Sequence, residues 1–367
     1  MCDFFPIFVK PNQNSCPVSM KKVFILLCIV LKVQVSEAQE LESLLLAAED
    51  ASRLTENYMR PVMNGLMYNM NNGWYTTAKT HKKFGFDLTI SLNASFVPTE
   101  AEIFEFVPGD YQFTSLPNGE TTLPTVMSPN STETTVDIRV PYEGNTFKIA
   151  SFEMPGGITE ELPVNAVPAP MVQVGIGLPS KTDLKIRYVP ELNFDDNVNS
   201  QLFGIGLQHD LMQYFGPLKK LPLSVSVLGA FTNMNVSYAI EDNNASDDIA
   251  ITNGSAEFKM NTWTVQALGS LDFKIITLYA GLGYNNGTST IKMKGDYDLT
   301  YSVEDQNGNP QGSISESISN PLNLSFDATG MRTTLGARLN IGFFKIFGDY
   351  TIQEYNTFSA GIALSFR

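Results

Sequence analysis

The last ten residues, Phe358 to Arg367, alternate without a break. Phe358, Ala360, Ile362, Leu364 and Phe366 share one side, and Ser359, Gly361, Ala363, Ser365 and Arg367 share the other. A repeat of two residues is a β-strand with a different solvent on each face. The same pattern returns along most of the C-terminal half. Phe84, Phe86, Leu88, Ile90 and Leu92 make one such face, and Val172, Val174, Ile176 and Leu178 another. Leu184, Ile186 and Tyr188 alternate with Lys185 and Arg187, and Phe203, Ile205 and Leu207 with Gly204, Gly206 and Gln208. Met331, Thr333, Leu335, Ala337, Leu339, Ile341 and Phe343 form the cleanest run. Little room is left for helices.

Strands apolar on one face and small or polar on the other suit a barrel with hydrocarbon outside and water within. A soluble exported β-sandwich also alternates, but its strands are usually about 5–6 residues long. Met331–Phe343 reaches the ~9–11 residues that a tilted strand needs to span a bilayer. The connections also alternate. Those near 179–183, 272–275 and 343–346 are short, whereas 241–255 and 291–327 read as long polar loops. Short turns on one rim and long loops on the other are expected of an outer-membrane barrel. The predicted fold is therefore all-β: a transmembrane antiparallel β-barrel of about 12–14 strands with a short N-terminal helical plug or cap. Residues 98–168, rich in Pro, Thr and Asn, are expected to add roughly two to four strands and an elaborated loop, since a structureless segment of that length is improbable.

The N-terminus reads as an export signal. Lys21-Lys22 precede the apolar run Val23–Leu31, and Ser36-Glu37-Ala38-Gln39 offers a small-x-small cleavage site. Met20 is the expected start and Ala38 the last residue removed, so 1–38 is upstream extension plus signal peptide. Cys2, Cys16 and Cys28 all precede that point, so no disulfide framework is expected. Residues 39–82 are expected to form a helix over 40–56, broken after Pro61 and Gly65, followed by a turn-rich plug-like segment through Asn69, Asn71, Asn72, Gly73, Trp74 and Tyr75. The barrel is expected over 83–367.

Charged residues make up 17% of the chain and the net charge is −14. A chain so acidic offers no basic face to nucleic acid. His81 and His209 stand apart, without Cys partners, and are expected at polar rims rather than at a metal. No nucleophile elbow, phosphate loop or dinucleotide fingerprint occurs, so neither enzyme activity nor a cofactor is expected. Lys185, Arg187, Arg332, Arg338 and Asn340 lie on the polar parity of their strands and are the lumen-facing candidates. They would tune passage or pair with interior acids such as Asp349. Tyr188, Tyr214, Trp263, Tyr279, Tyr284, Tyr350 and Tyr355 are placed as interfacial aromatics.

The segments Gly73-Trp74-Tyr75-Thr76-Thr77-Ala78-Lys79, Gly177–Pro190 and Gly204–Leu211 resemble an uncharacterised family of Gram-negative outer-membrane barrels. More distantly, the layout is similar to the long-chain fatty-acid transporters, whose N-terminal segment plugs a barrel of about this size. Phe366 is similar to the terminal aromatic read by barrel-assembly machinery, although Arg367 follows it. The resemblance implies the outer membrane of a Gram-negative bacterium, with outer-membrane lipid, that machinery and a hydrophobic small molecule as partners. The expected function is passive passage or uptake of a small apolar or amphipathic solute. The alternative is a structural or adhesion barrel that presents its loops to a partner.

Overall fold

The computed structural model describes residues 48–129, 134–142, 145–193, 198–215, 222–240, 244–246, 249–304 and 310–366. The signal peptide, its cleavage point and residues 40–47 of the expected helix lie outside the described residues. Ten strands, numbered here in chain order, wind into a barrel: β1 (Phe86–Phe96), β2 (Ala166–Leu178), β3 (Thr182–Asn193), β4 (Val198–Asp210), β5 (Leu223–Ala239), β6 (Ile249–Asp272), β7 (Ile276–Glu304), β8 (Leu322–Ile341), β9 (Phe344–Ile352) and β10 (Thr357–Phe366). Each pairs antiparallel with the next, and β10 closes on β1 from Phe86–Phe366 to Ser95–Thr357.

The outer surface follows from the alternation. On β1, Phe86, Leu88, Ile90, Leu92 and Phe96 are exposed, while Thr89, Ser91, Asn93 and Ser95 are buried. Eleven residues in β1 rise roughly 28 Å at about 3.3 Å per residue and a tilt near 40°. That matches the apolar band of a transmembrane barrel. Trp263 and Tyr284, 5.9 Å apart, mark one edge of the band. Phe343, Phe366 and Phe86 mark the other.

The barrel closes with ten strands rather than twelve to fourteen. The difference is residues 97–165, which leave the barrel between β1 and β2. Ile103–Glu105 pairs with Thr122–Pro124, and Thr114–Ser115, Thr134–Tyr142 and Asn145–Met154 make a second small sheet. Val136, Ile138, Phe152 and Met154 are buried with Phe106, Tyr111, Leu123 and Leu54. The buried apolar residues of this segment pack against one another, and none of its strands joins the barrel sheet.

The stretches read as long loops are largely strand. β6 has 24 residues and β7 has 29, far more than a crossing requires. Their polarity inverts along their length. Below the aligned level of Thr232, Thr262, Gly287 and Ala328, the apolar residues face outward: Phe231, Val265, Leu282 and Leu335 are exposed. Above it the apolar residues face inward: Met234, Val236, Phe258, Met260, Ile291, Leu324 and Phe326 are buried. The upper wall thus has the dry inside and wet outside of a soluble sheet.

That wall shelters one helix, α1 (Ala48–Met70). It runs past Pro61 and Gly65 instead of ending there. Leu54, Met59, Val62, Met63, Leu66, Met67 and Met70 are all buried, and that packing outweighs the hydrogen bond lost at Pro61. At Gly65 a Cβ would lie 2.7 Å from Val167 of β2; the glycine lets helix and wall meet. Asp50 accepts from the backbone N–H groups of Gln112, Phe113 and Thr114 at 2.7–2.9 Å, tying the start of α1 to the insert.

Candidate functional site

From Met70 the chain turns down into the lumen and follows it to the short-turn rim, where β1 begins. The last carbonyls of a helix have no partner within it and carry its partial negative charge. Two buried arginines on different strands supply what is missing. Arg187 of β3 donates to Met70 O at 2.9 Å and Asn72 O at 2.6 Å. Arg332 of β8 donates to Asn71 O at 2.7 Å and also bonds the Asn72 side chain. Their relative exposures are 0% and 2%, and among the described residues neither forms an ion pair with a carboxylate. Interior pairing of these arginines with acids is therefore replaced by pairing with the plug's backbone.

Below this clamp lies Trp74. The Arg187 guanidinium sits 3.7 Å from the centre of its ring, and a cation over indole is favourable where water is excluded. Gly204 and Gly206 of β4 pass beneath the ring, so close that a Cβ on either would meet it at 3.1 and 3.0 Å. Tyr75 packs edge-on to Tyr279, 5.9 Å away. Gly281 makes room for it, since a Cβ there would lie 1.9 Å from the Tyr75 hydroxyl. The small residues on the polar face of the strands thus seat the plug's rings.

Lower still, Thr77 donates to Asp272 at 2.9 Å, and its carbonyl accepts from Gln208 at 3.0 Å. The Ala78 amide donates to Ser270 at 3.1 Å. His81 is not at an open rim, as its surroundings in the sequence suggested, but 6% exposed. Its amide donates to Asp183 at 2.9 Å, and Nδ1 lies 2.9 Å from the same carboxylate. Nε2 faces both Asp87 and Ser365, each at 3.4 Å. Serine, histidine and aspartate in line suggest a hydrolytic relay. Asp87 competes for the same nitrogen, however, so the imidazole serves as a tie between two acids and the trio reads as a latch.

The other sequence candidates fall on the same wall. Lys185 is buried on β3. Arg338 donates to Thr76 Oγ1 at 3.0 Å. Asp349 accepts from the Tyr279 hydroxyl at 2.9 Å, and Asn340 donates to Thr277 at 3.1 Å, both wall to wall. Arg187, Arg332 and Arg338 are thus gathered on the plug, whereas Asp349 and Asn340 brace neighbouring strands. His209 does sit at the short-turn rim, with Nδ1 2.8 Å from Thr182 Oγ1 and Nε2 3.1 Å from the Tyr214 hydroxyl. Tyr279 and Tyr355 are buried rather than interfacial; Tyr188, Tyr214, Trp263, Tyr284 and Tyr350 are exposed. Sequence reasoning passed over Asp87, Asp183, Asp272 and Gln173. Their signal was the polar parity of their strands; what it lacked was the plug they face.

No curated protein matches the sequence. Among solved structures, the chain is similar to Ail, the attachment invasion locus protein of Yersinia pestis, at 9% identity over 78% of this chain and 100% of that one, with a TM-score of 0.24. It is also similar to the translocator domain of the autotransporter NalP from Neisseria meningitidis, at 11% identity over 83% and 93%, with a TM-score of 0.23. The monoaromatic hydrocarbon channel TodX matches at 7% identity over 78% and 91%, with a TM-score of 0.20. No residue correspondence is drawn from these three. A family model matches residues 20–366, nearly the whole sequence. The chain belongs to that family, DUF6588, described as a family of unknown function.

Proposed function

We propose that this protein is an outer-membrane barrel, closed by its own N-terminal segment, that anchors a folded platform on the cell surface for contact with a partner. The observation that carries this reading is the contrast between the two ends. The lumen is occupied by Asn71–His81, clamped by Arg187 and Arg332 above and tied by His81 below. The long-connection end is built up into a unit with its own core, formed from the 97–165 insert and α1. Building so much structure beyond the hydrocarbon serves recognition better than passage. The outward apolar band supports the membrane location, and the short-turn rim is then periplasmic.

Passage of a small apolar or amphipathic solute would require the plug to leave. The lumen wall combines buried polar residues such as Thr89, Gln173, Gln208 and Thr264 with an apolar patch of Leu228, Ala230, Leu268 and Tyr279, and Trp74, Tyr75 and Ala78 of the plug already fill that patch. Planar-bilayer recording of the full-length mature chain separates the readings. A silent barrel is the expected result, together with antibody access on intact cells to an epitope inserted at Gly119, in the insert. Stable conductance steps from the unaltered protein would overturn the proposal in favour of passage. An epitope reached only after the outer membrane is opened would overturn the surface platform.

A further inference from the structure

The two rims carry opposite charge. Among the described residues every glutamate lies toward the long-connection end, and none lies at the short-turn rim. There Lys79, Lys82, Lys83, Lys181 and Lys274 are exposed. The aspartates of that rim turn inward and are engaged. Asp87 and Asp183 face His81, Asp272 accepts from Thr77 and Ser224, and Asp210 lies 3.5 Å from Lys181. The outward field of this rim is therefore set by lysine.

One arc adds a seat beside that charge. Phe343 stacks on Phe366 at 5.7 Å, and Phe366 stacks on Phe86 at 5.0 Å. The three rings form a ladder across β8–β9, β10 and β1, exposed at 59%, 44% and 47%. Next to it the chain makes a tight turn, with the Gly85 amide donating to Lys82 O at 2.8 Å and the Phe84 amide to Gly177 O at 2.8 Å. Phe84 is held at a φ of 65°, a left-handed conformation that costs a bulky residue energy. Its ring stands 73% exposed with the Lys83 ammonium 5.1 Å from its centre. Lys181, at the neighbouring β2–β3 turn, continues the arc; its pair with Asp210 is solvent-exposed on the lysine side, so the ammonium can be shared.

We propose that this arc is a docking site for one anionic phospholipid, with acyl chains along Phe343, Phe366 and Phe86 and the headgroup phosphate among Lys82, Lys83 and Lys181. The argument is continuity and complementarity. The ring ladder extends the lipid-facing band to the rim, where the headgroup of a lipid lying on it would be found. Among the described residues the exposed charge there is positive, and lysines attract anionic headgroups within a Debye length of the surface. A zwitterionic lipid gains the ring contacts without the net attraction. The inference rests on the membrane reading given above.

The test uses the purified full-length mature chain in detergent, supplied equally with phosphatidylglycerol and phosphatidylcholine, and counts retained lipids by native mass spectrometry. The wild type is expected to retain phosphatidylglycerol preferentially. The K82Q/K83Q variant should lose that preference by about fivefold per lysine, and Lys82→Gln alone by one such step. Phe343→Ala should lower retention of both lipids and leave their ratio unchanged. Lys259→Gln, toward the opposite rim, should behave as wild type. Equal retention of the two lipids by the wild type, or an unchanged ratio in K82Q/K83Q, overturns the proposal. So does displacement of phosphatidylglycerol by soluble glycerol phosphate, which would assign the lysines to a free phosphate. Heat-dependent gel mobility confirms that each variant is a folded barrel. Failure of the membrane reading itself would show separately, as a monomer soluble without detergent.

Discussion

A buried guanidinium without a carboxylate is costly unless its donors are used, and here most of them are used on the plug. Arg187 and Arg332 bond the carbonyls of Met70, Asn71 and Asn72, of which Met70 O also accepts from Trp74 Nε1 at 3.3 Å. Arg187 and Arg332 therefore depend on the plug as much as the plug depends on them. Arg187→Met keeps the bulk but strips partners from the carbonyls of Met70 and Asn72. It is expected to cost about 3 kcal/mol, read as a lower temperature for the gel-mobility shift. It should also give intermittent conductance in planar bilayers as the clamp opens. An unaltered transition and a silent trace would show that the clamp is not what holds the lumen shut. The parity of β3 and β8 made these arginines legible as lumen-facing residues. Their partners were not legible, because a carbonyl has no signature in sequence and the helix end that offers it lies more than a hundred residues away. His81 was misjudged for a related reason: beside Lys82 and Lys83 it looks like rim, and only folding brings Asp87 and Asp183 around it.

At the scale of elements, strands inside the hydrocarbon were legible because two solvents impose a strict period. Where β6, β7 and β8 rise above it, the inward face packs on protein and the outward face meets water, so Ser, Thr, Asn and Lys resemble a loop. The helix was misjudged at its C-terminal end for a comparable reason. Pro61 and Gly65 are breakers by propensity, and the packing that overrides them involves β2 and the insert. Within the insert, Asp137 is buried and bridged by Lys148 at 2.6 Å and Arg139 at 3.2 Å. Burial alone would raise its pKa, but the hydrogen bonds and charges of these two cations outweigh it and hold the carboxyl below its ordinary value of 3.8. Folding thus favours the charged form. Its contribution is complete above 3.8 and is lost as pH falls through the lower folded value. Both cations are half-exposed, so the loss is expected to stay below about 1 kcal/mol. Asp137→Asn should reproduce it at neutral pH, measured as faster amide exchange over Thr134–Met154. Equal exchange in variant and wild type at neutral pH would remove Asp137 from the account.

At the scale of the whole molecule, the plug sets the direction of the chain. His81 is tied near the C-terminal residues of β10, while Asp50 is tied to the insert at the other end. The polypeptide therefore enters the described structure at the long-connection end, passes down the lumen, and only then begins the barrel. In a membrane with the short-turn rim facing the periplasm, the start of α1 faces the cell exterior and the end of β10 does not. The rings of Trp74 and Tyr75 hold the plug in that direction, seated closely against Gly204, Gly206 and Gly281. Cysteine labelling tests the threading directly, because the mature chain is expected to carry no cysteine of its own. Glu49→Cys, exposed at the start of α1, should react with a membrane-impermeant maleimide on intact cells. Lys274→Cys, exposed in the β6–β7 turn, should react only once the outer membrane is permeabilised. Labelling of Lys274→Cys but not Glu49→Cys on intact cells would mean the barrel is inserted the other way round. Protection of both on intact cells would mean that the helix is covered from outside or that the chain does not reach the outer membrane, and fractionation of the same cells separates those two outcomes.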